Sequence, residues 1–176
     1  MLMLSQVLAL AGMKKSDFDT RRARRLLGFF PLDQIGSYVD ERDPRPSARA
    51  KYTLADAFAL DLFQQATVSR LPSNLIDAMI RNTAGQFDTA LARVGEADLF
   101  LACALVGESR APDDDDGRGH AMIGTARELL PWIERDRLSM GGPGNDLSQV
   151  VLLNLSASRR RVMARVNDVF NKASSQ

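Results

Sequence analysis

Apolar residues recur at helical spacing in the opening LSQVLALAGM, where Leu4, Val7, Leu8 and Ala11 share one face. Gly12 follows and can take the positive φ of a tight turn. Ser16 stands at a capping position for a second helix, with Asp17 and Asp19 near its positive end. That helix is predicted to run through Arg25 and to stop near Gly28. Helix, glycine turn and helix within about two dozen residues form the helix-turn-helix pattern.

The periodicity changes after Gly28. Ile35 to Val39 and Ala50 to Tyr52 read as short strands, and the prolines and charges between them predict a solvated tip. Two strands around a basic loop, directly after a helix-turn-helix, make a wing. Thr53 opens a third helix, with Asp56 placed to complete a capping box. Its predicted buried stripe is Leu54, Phe58, Leu62, Phe63 and Ala66, and Pro72 ends it near Arg70. Ser73 caps a fourth helix with Ile76, Met79 and Ile80 inward. Gly85 either breaks that helix or lies within a continuation to about Val94.

The second half has a different texture. Leu99 to Val106 is continuously apolar and reads as a buried strand, although periodicity alone does not separate it from a helix. APDDDDGRG is a loop, Thr125 to Arg135 a helix, LSMGGPGND a turn, and Val150 to Leu155 a second apolar strand. Val162, Val166, Val169 and Phe170 stripe the last helix. The expected fold is mainly α with a small β component, an α+β arrangement. It divides into a winged helix-turn-helix domain over 1–82 and an α+β unit over 83–176.

Composition places the chain among globular proteins: 176 residues, 45% apolar and 26% charged, with a net charge of only +1. The distribution of charge says more. Residues 1–82 carry 12 Lys+Arg against 9 Asp+Glu, and residues 83–176 carry 11 against 13. A basic front half joined to a slightly acidic back half suits a nucleic-acid-binding domain with an assembly domain. The single cysteine, Cys103, sits in an apolar run and reads as a core residue, and a reducing, cytoplasmic setting is expected. The opening apolar run has no preceding cation and is interrupted by Ser5 and Gln6, so no signal peptide is expected, and no segment is long enough to span a membrane.

Four arginines, Arg21, Arg22, Arg24 and Arg25, follow Lys14 and Lys15 on the second helix. Most charged helical faces are simply solvated. Here only Asp17 stands at i−4 spacing to oppose them, and the second helix of a helix-turn-helix is the element that enters a major groove. Arginine suits both guanine edges and phosphates. Arg42, Arg45, Arg49 and Lys51 flank the wing, where cations can reach the backbone. Arg159, Arg160 and Arg161 stand near the start of the last helix, where the dipole disfavours cations, so an anion should offset them. The simpler candidate is the run Asp113 to Asp116, the alternative a DNA backbone. Those aspartates lack the glycine and distal glutamate of a calcium loop and read as solvated.

The pieces LSQVLALAGM, SDFDTRRARRLLG, the FFP exit and the RAKYTLADAFALDLFQQATVSRLPSNLIDAMI segment resemble the MerR-type winged-helix family over the first half of the chain. In that family the second helix reads the major groove, the wing touches the backbone, and the proteins act as homodimers. The resemblance implies DNA contact from Lys15, Thr20, Arg21, Arg22 and Arg25, and from Arg49, Lys51 and Tyr52 by the wing. Lys14, Ser16 and Arg24 on the same helix and Arg45 in the wing complete the expected set. The chain departs from the family at Ala23 and Arg24, where an aromatic pair is usual, and no extended heptad segment follows Asn82.

No phosphate loop, nucleophile elbow or histidine partner for a triad is present, so an enzyme is not expected, nor is a cofactor or metal. The reading is a sequence-specific, nucleoid-associated transcription regulator of a bacterium or phage. It would bind double-stranded DNA as a homodimer, with transcription machinery or a regulatory protein as a further partner. The rivals are a nonspecific architectural DNA binder and a winged-helix adaptor that grips an acidic protein.

Overall fold

The computed structural model describes residues 1–32, 52–93, 97–106, 119–139 and 147–173. The predicted wing from Ile35 to Lys51 and the aspartate run lie outside these. Helix α1 (Leu4–Ala11) buries Val7, Leu8, Leu10 and Ala11, and Gly12 closes it with φ of 69°. Helix α2 (Lys15–Ala23) starts ahead of the predicted capping serine. Lys14 occupies the N-cap position and no side chain caps the helix. The helix also stops well short of Gly28. Arg25 takes a left-handed φ of 56°, and the amides of Arg25 and Leu26 donate back to the carbonyls of Arg22 and Arg21. This crossed pair of bonds is a Schellman closure, which the left-handed residue terminates.

Helix α3 (Leu54–Val68) is the central rod. The predicted capping box forms: the Thr53 amide donates to Asp56 Oδ2 at 2.7 Å, and the Asp56 amide donates to Thr53 Oγ1 at 3.3 Å. Burial is wider than the predicted stripe. Every residue from Ala55 to Phe63 is buried, whereas Leu54 is 40% exposed. The helix is enclosed because α1 and three later helices, α4 (Ser73–Thr83), α5 (Phe87–Ala92) and α7 (Leu155–Ala173), all pack on it. Pro72, not Ser73, takes the N-cap position of α4. A single 3₁₀ turn over Ala84–Gln86 separates α4 from α5. The predicted boundary after Asn82 therefore falls inside the last turn of α4, and one buried cluster includes residues from both sides of it.

Three antiparallel strands form a sheet in the order β2-β1-β3, with β1 (Leu99–Val106), β2 (Gly119–Thr125) and β3 (Leu147–Asn154). β2 goes unnoticed in the apolar pattern because Gly119, His120 and Gly124 dilute it. The register places Leu101 between Ile123 and Leu153, and Cys103 between Ala121 and Val151. That face packs against α3, α4 and α7. Ala102 and Ala104 point the other way and are fully buried under α6 (Ala126–Ser139), whose Leu129 lies against Gly124. The architecture is thus mainly helical with a small antiparallel sheet between helical layers, an α+β fold.

Helix α7 returns to the front half and locks it. Asp61 of α3 is fully buried, and Arg161 donates to it at 2.7 and 3.0 Å while Arg165 donates at 3.2 Å. Arg160 pairs with Asp98 at 3.0 Å. Asp98 and Asp61 thus stand opposite Arg160 and Arg161 at the start of the last helix. Ser158 adds a buried hydrogen bond to the Phe58 carbonyl at 3.1 Å, and Ser156 accepts from the Leu99 amide at 2.9 Å. Small hydroxyls at these positions let α7 approach both α3 and β1 closely.

Candidate nucleic-acid interface

The α1–turn–α2 unit is held from beneath at each end. At the turn, Arg165 Nη1 donates to the Leu10 carbonyl at 2.9 Å, one of the carbonyls that a helix end leaves without a partner. Its guanidinium lies so close under Gly12 that an added Cβ would stand 2.9 Å from its Cζ. Glycine is therefore required at position 12 twice over, for its φ and for this approach. Gln64 Nε2 reaches the Gly12 carbonyl at 3.4 Å.

Beyond α2, the buried Asp77 carboxylate accepts the Phe29 amide at 3.0 Å and pairs with Arg81 at 2.9 Å. Burial nevertheless pushes its carboxyl above the ordinary 3.8, because the lost hydration outweighs Arg81 and the amides of Phe29 and Gly28. Phe29 is fully buried with its ring 5.6 Å from that of Phe63. Phe30 meets Phe18 edge-on at 5.3 Å and stacks on Tyr52 at 5.3 Å. The FFP exit is thus the anchor that fixes α2 to the core.

This packing sorts the expected DNA-contact residues. Tyr52 is a core residue, 5% exposed, and its carbonyl accepts the Leu2 amide at 2.9 Å in an antiparallel bridge. Its ring therefore packs in the core and is not presented to solvent. Arg21 is also turned inward. Its guanidinium lies 5.2 Å from the centre of the Phe63 ring and donates to Thr67 Oγ1 at 3.3 Å, tying α2 to α3. Arg22 is half-buried and engaged in its own interaction. Lys15 is exposed but paired with Asp19 at 2.7 Å. Lys14, Arg24 and Arg25 are exposed, and no described residue forms an ion pair with them. Arg45, Arg49 and Lys51 lie outside the described residues.

The outward ridge of α2 holds Ser16, Thr20 and Ala23, at i, i+4 and i+7, all exposed. The Thr20 hydroxyl donates to the Ser16 carbonyl at 2.8 Å, so its methyl is free to face outward. Sequence reasoning missed one neighbouring cation. Arg70 closes α3 as Arg25 closes α2, with φ of 63° and a bond from the Leu71 amide to the Ala66 carbonyl at 3.1 Å. Each arginine stands where glycine would cost about 1 kcal/mol less, and the negative ends of the helices return part of that. Contact between Arg21 and Thr67 brings the two helix ends together, so both exposed arginines lie at one end of the unit.

Among the described residues no group of three or more His, Cys, Asp or Glu side chains gathers as a metal site. No helix among them is long and apolar enough to cross a membrane. No protein-family model matches the chain, and no curated protein matches it.

Proposed function

We propose that this protein binds double-stranded DNA through α2, as a sequence-specific, homodimeric transcriptional regulator of a bacterium or phage. One observation carries the reading: α2 turns Phe18 and Arg21 into the core while Lys14 at its start and Arg24 and Arg25 at its end stay exposed without an ion pair to any described residue. The helix has 9 residues, which is about 14 Å of rise. The major groove is about 12 Å wide. Cations at the two ends of α2 can therefore meet phosphates on opposite walls of the groove. The small ridge Ser16, Thr20 and Ala23 then faces the base edges, where the Ser16 hydroxyl bonds either donor or acceptor and the methyl groups of Thr20 and Ala23 touch thymine. Phosphate contacts supply affinity, and the ridge supplies sequence preference. In this reading Arg45, Arg49 and Lys51, outside the described residues, extend the contact onto the backbone, while Tyr52 packs in the core against Phe30.

Selection from fragmented genomic DNA with excess competitor tests the proposal, using the native chain and Lys14→Ala/Arg24→Ala/Arg25→Ala. The expected result is enrichment of a few related sites, lost in the triple variant. Equal recovery of all fragments would replace the regulator with an architectural binder. No recovery at physiological salt would replace it with an adaptor for an acidic protein.

A further inference from the structure

We infer that the outer edge of β3 pairs with β3 of a second copy of this chain, joining the two sheets into one continuous antiparallel sheet. The order β2-β1-β3 leaves two edges. The edge at β2 is closed. The Ile123 amide donates out of the sheet to Gln86 Oε1 at 3.2 Å, and α4 and α5 pack along the strand.

That same bond sets the phase of the ladders. Ile123 faces Leu101, and its amide points away from β1, so Leu101 turns its own amide and carbonyl toward Leu153. Hydrogen bonding alternates along an antiparallel pair. Leu153 and Val151 therefore bond to β1, while Val150 and Leu152 aim their amides and carbonyls off the open edge. No described residue bonds to those groups.

Proteins protect an open edge with charge, proline or a bulge. The sequence of β3, LSQVVLLN, has neither charge nor proline, and the single register irregularity lies at Leu105/Val106, away from Val150 to Asn154. Leu152 is 53% exposed beside this edge, on the face that α6 covers.

Charge selects the occupant. A strand without charged side chains offers no counter-ion to an acidic or basic segment, and it brings no like-charge repulsion against itself. An antiparallel edge is also self-complementary about a two-fold axis. With the axis at Val151, Val150 faces Leu152 of the partner subunit and Leu152 faces the partner's Val150. Each such pair exchanges both backbone hydrogen bonds and covers the exposed leucine.

Sedimentation equilibrium without DNA tests the pairing on the full chain. The native protein is expected to run at about twice its 19.4 kDa. Leu152→Lys puts a charge at an exposed position, and Val150→Pro removes only an amide that points outward. Both variants are expected at the monomer mass with native circular dichroism. A monomeric native protein, or a folded Leu152→Lys variant that stays dimeric, overturns the inference. If Val150→Pro fails to fold, Leu152→Lys alone decides. The pairing does not rest on nucleic-acid binding: a monomer that binds DNA would end the pairing and leave the role of α2 intact, and a dimer that binds none would do the reverse.

Discussion

Replacing Asp61 by asparagine is expected to separate α7 from the front half more severely than any exposed charge change. The carboxylate is fully buried and receives Arg161 at 2.7 Å and Arg165 at 3.2 Å. Asparagine keeps the volume but offers one oxygen and an NH₂ that opposes the guanidinium groups. Removing one partner of a buried pair costs about 3–5 kcal/mol because the remaining charge stays uncompensated. Here the arginine side chains keep 34% and 35% exposure, so water recovers part of their hydration. The low end, about 3 kcal/mol, is the expected loss. Domains of this size have about 5–15 kcal/mol in total, and each kcal/mol moves the melting temperature by about 2–4 °C. The midpoint should therefore fall by about 6–12 °C. Arg160→Ala is the control, because its pair with Asp98 is exposed on both sides, 64% and 48%, and solvent-exposed pairs add little stability. Urea and thermal unfolding of the two variants give the comparison. If Asp61→Asn lost no more than Arg160→Ala, the clamp would not be what holds α7 to α3.

Four further outcomes follow from the same geometry. Arg25→Gly should raise stability by about 0.5–1 kcal/mol in urea unfolding, because glycine fits the left-handed closure of α2, while DNA affinity falls with the lost cation. Hydrogen bonds from the Thr125 amide, then Arg93 and the Thr125 hydroxyl, hold the Glu128 carboxyl at about 2, below its ordinary 4.5. Its contribution is complete above 4.5 and is lost as pH falls through about 2, so Glu128→Gln should flatten that part of the acid unfolding curve. Asp77 behaves oppositely: burial raises its folded pKa above 3.8, so protonation favours the folded state and its contribution grows as pH falls, which carboxyl NMR titration resolves. Burial pushes the Cys103 thiol up to about 11, so a disulfide reagent at about pH 8 should leave it untouched in the folded chain and label it in denaturant.

Local chemistry was legible in the sequence where the partner lies within a turn or two. The Thr53–Asp56 cap, the Gly12 turn and the apolar run Leu99 to Val106 all reappear in the structure because each depends on neighbours in the chain. The clamp at Asp61 was not legible, since its partner Arg161 stands 100 residues away and a buried aspartate looks like any other in a helix. The arginine cluster was visible as a cluster but not as a division of labour. Which arginine turns inward depends on Phe63 and Thr67, which only the packing of α3 on α2 brings to Arg21. The pattern extends α2 through Arg25, yet a left-handed arginine ends it, and no residue type announces that as glycine would. The place of Tyr52 was not legible either, because an aromatic next to basic residues suits a nucleic acid as well as it suits the stack on Phe30.

Direct titration of DNA across a salt series tests the role of α2 most plainly. With the native chain and one selected site, log K should fall linearly with log salt, and each phosphate contact contributes about 0.9 to the slope. Lys14→Ala/Arg24→Ala/Arg25→Ala is expected to bind more weakly, with a slope shallower by about 2–3. An unchanged slope in that variant, or a native chain with no measurable affinity, would contradict it.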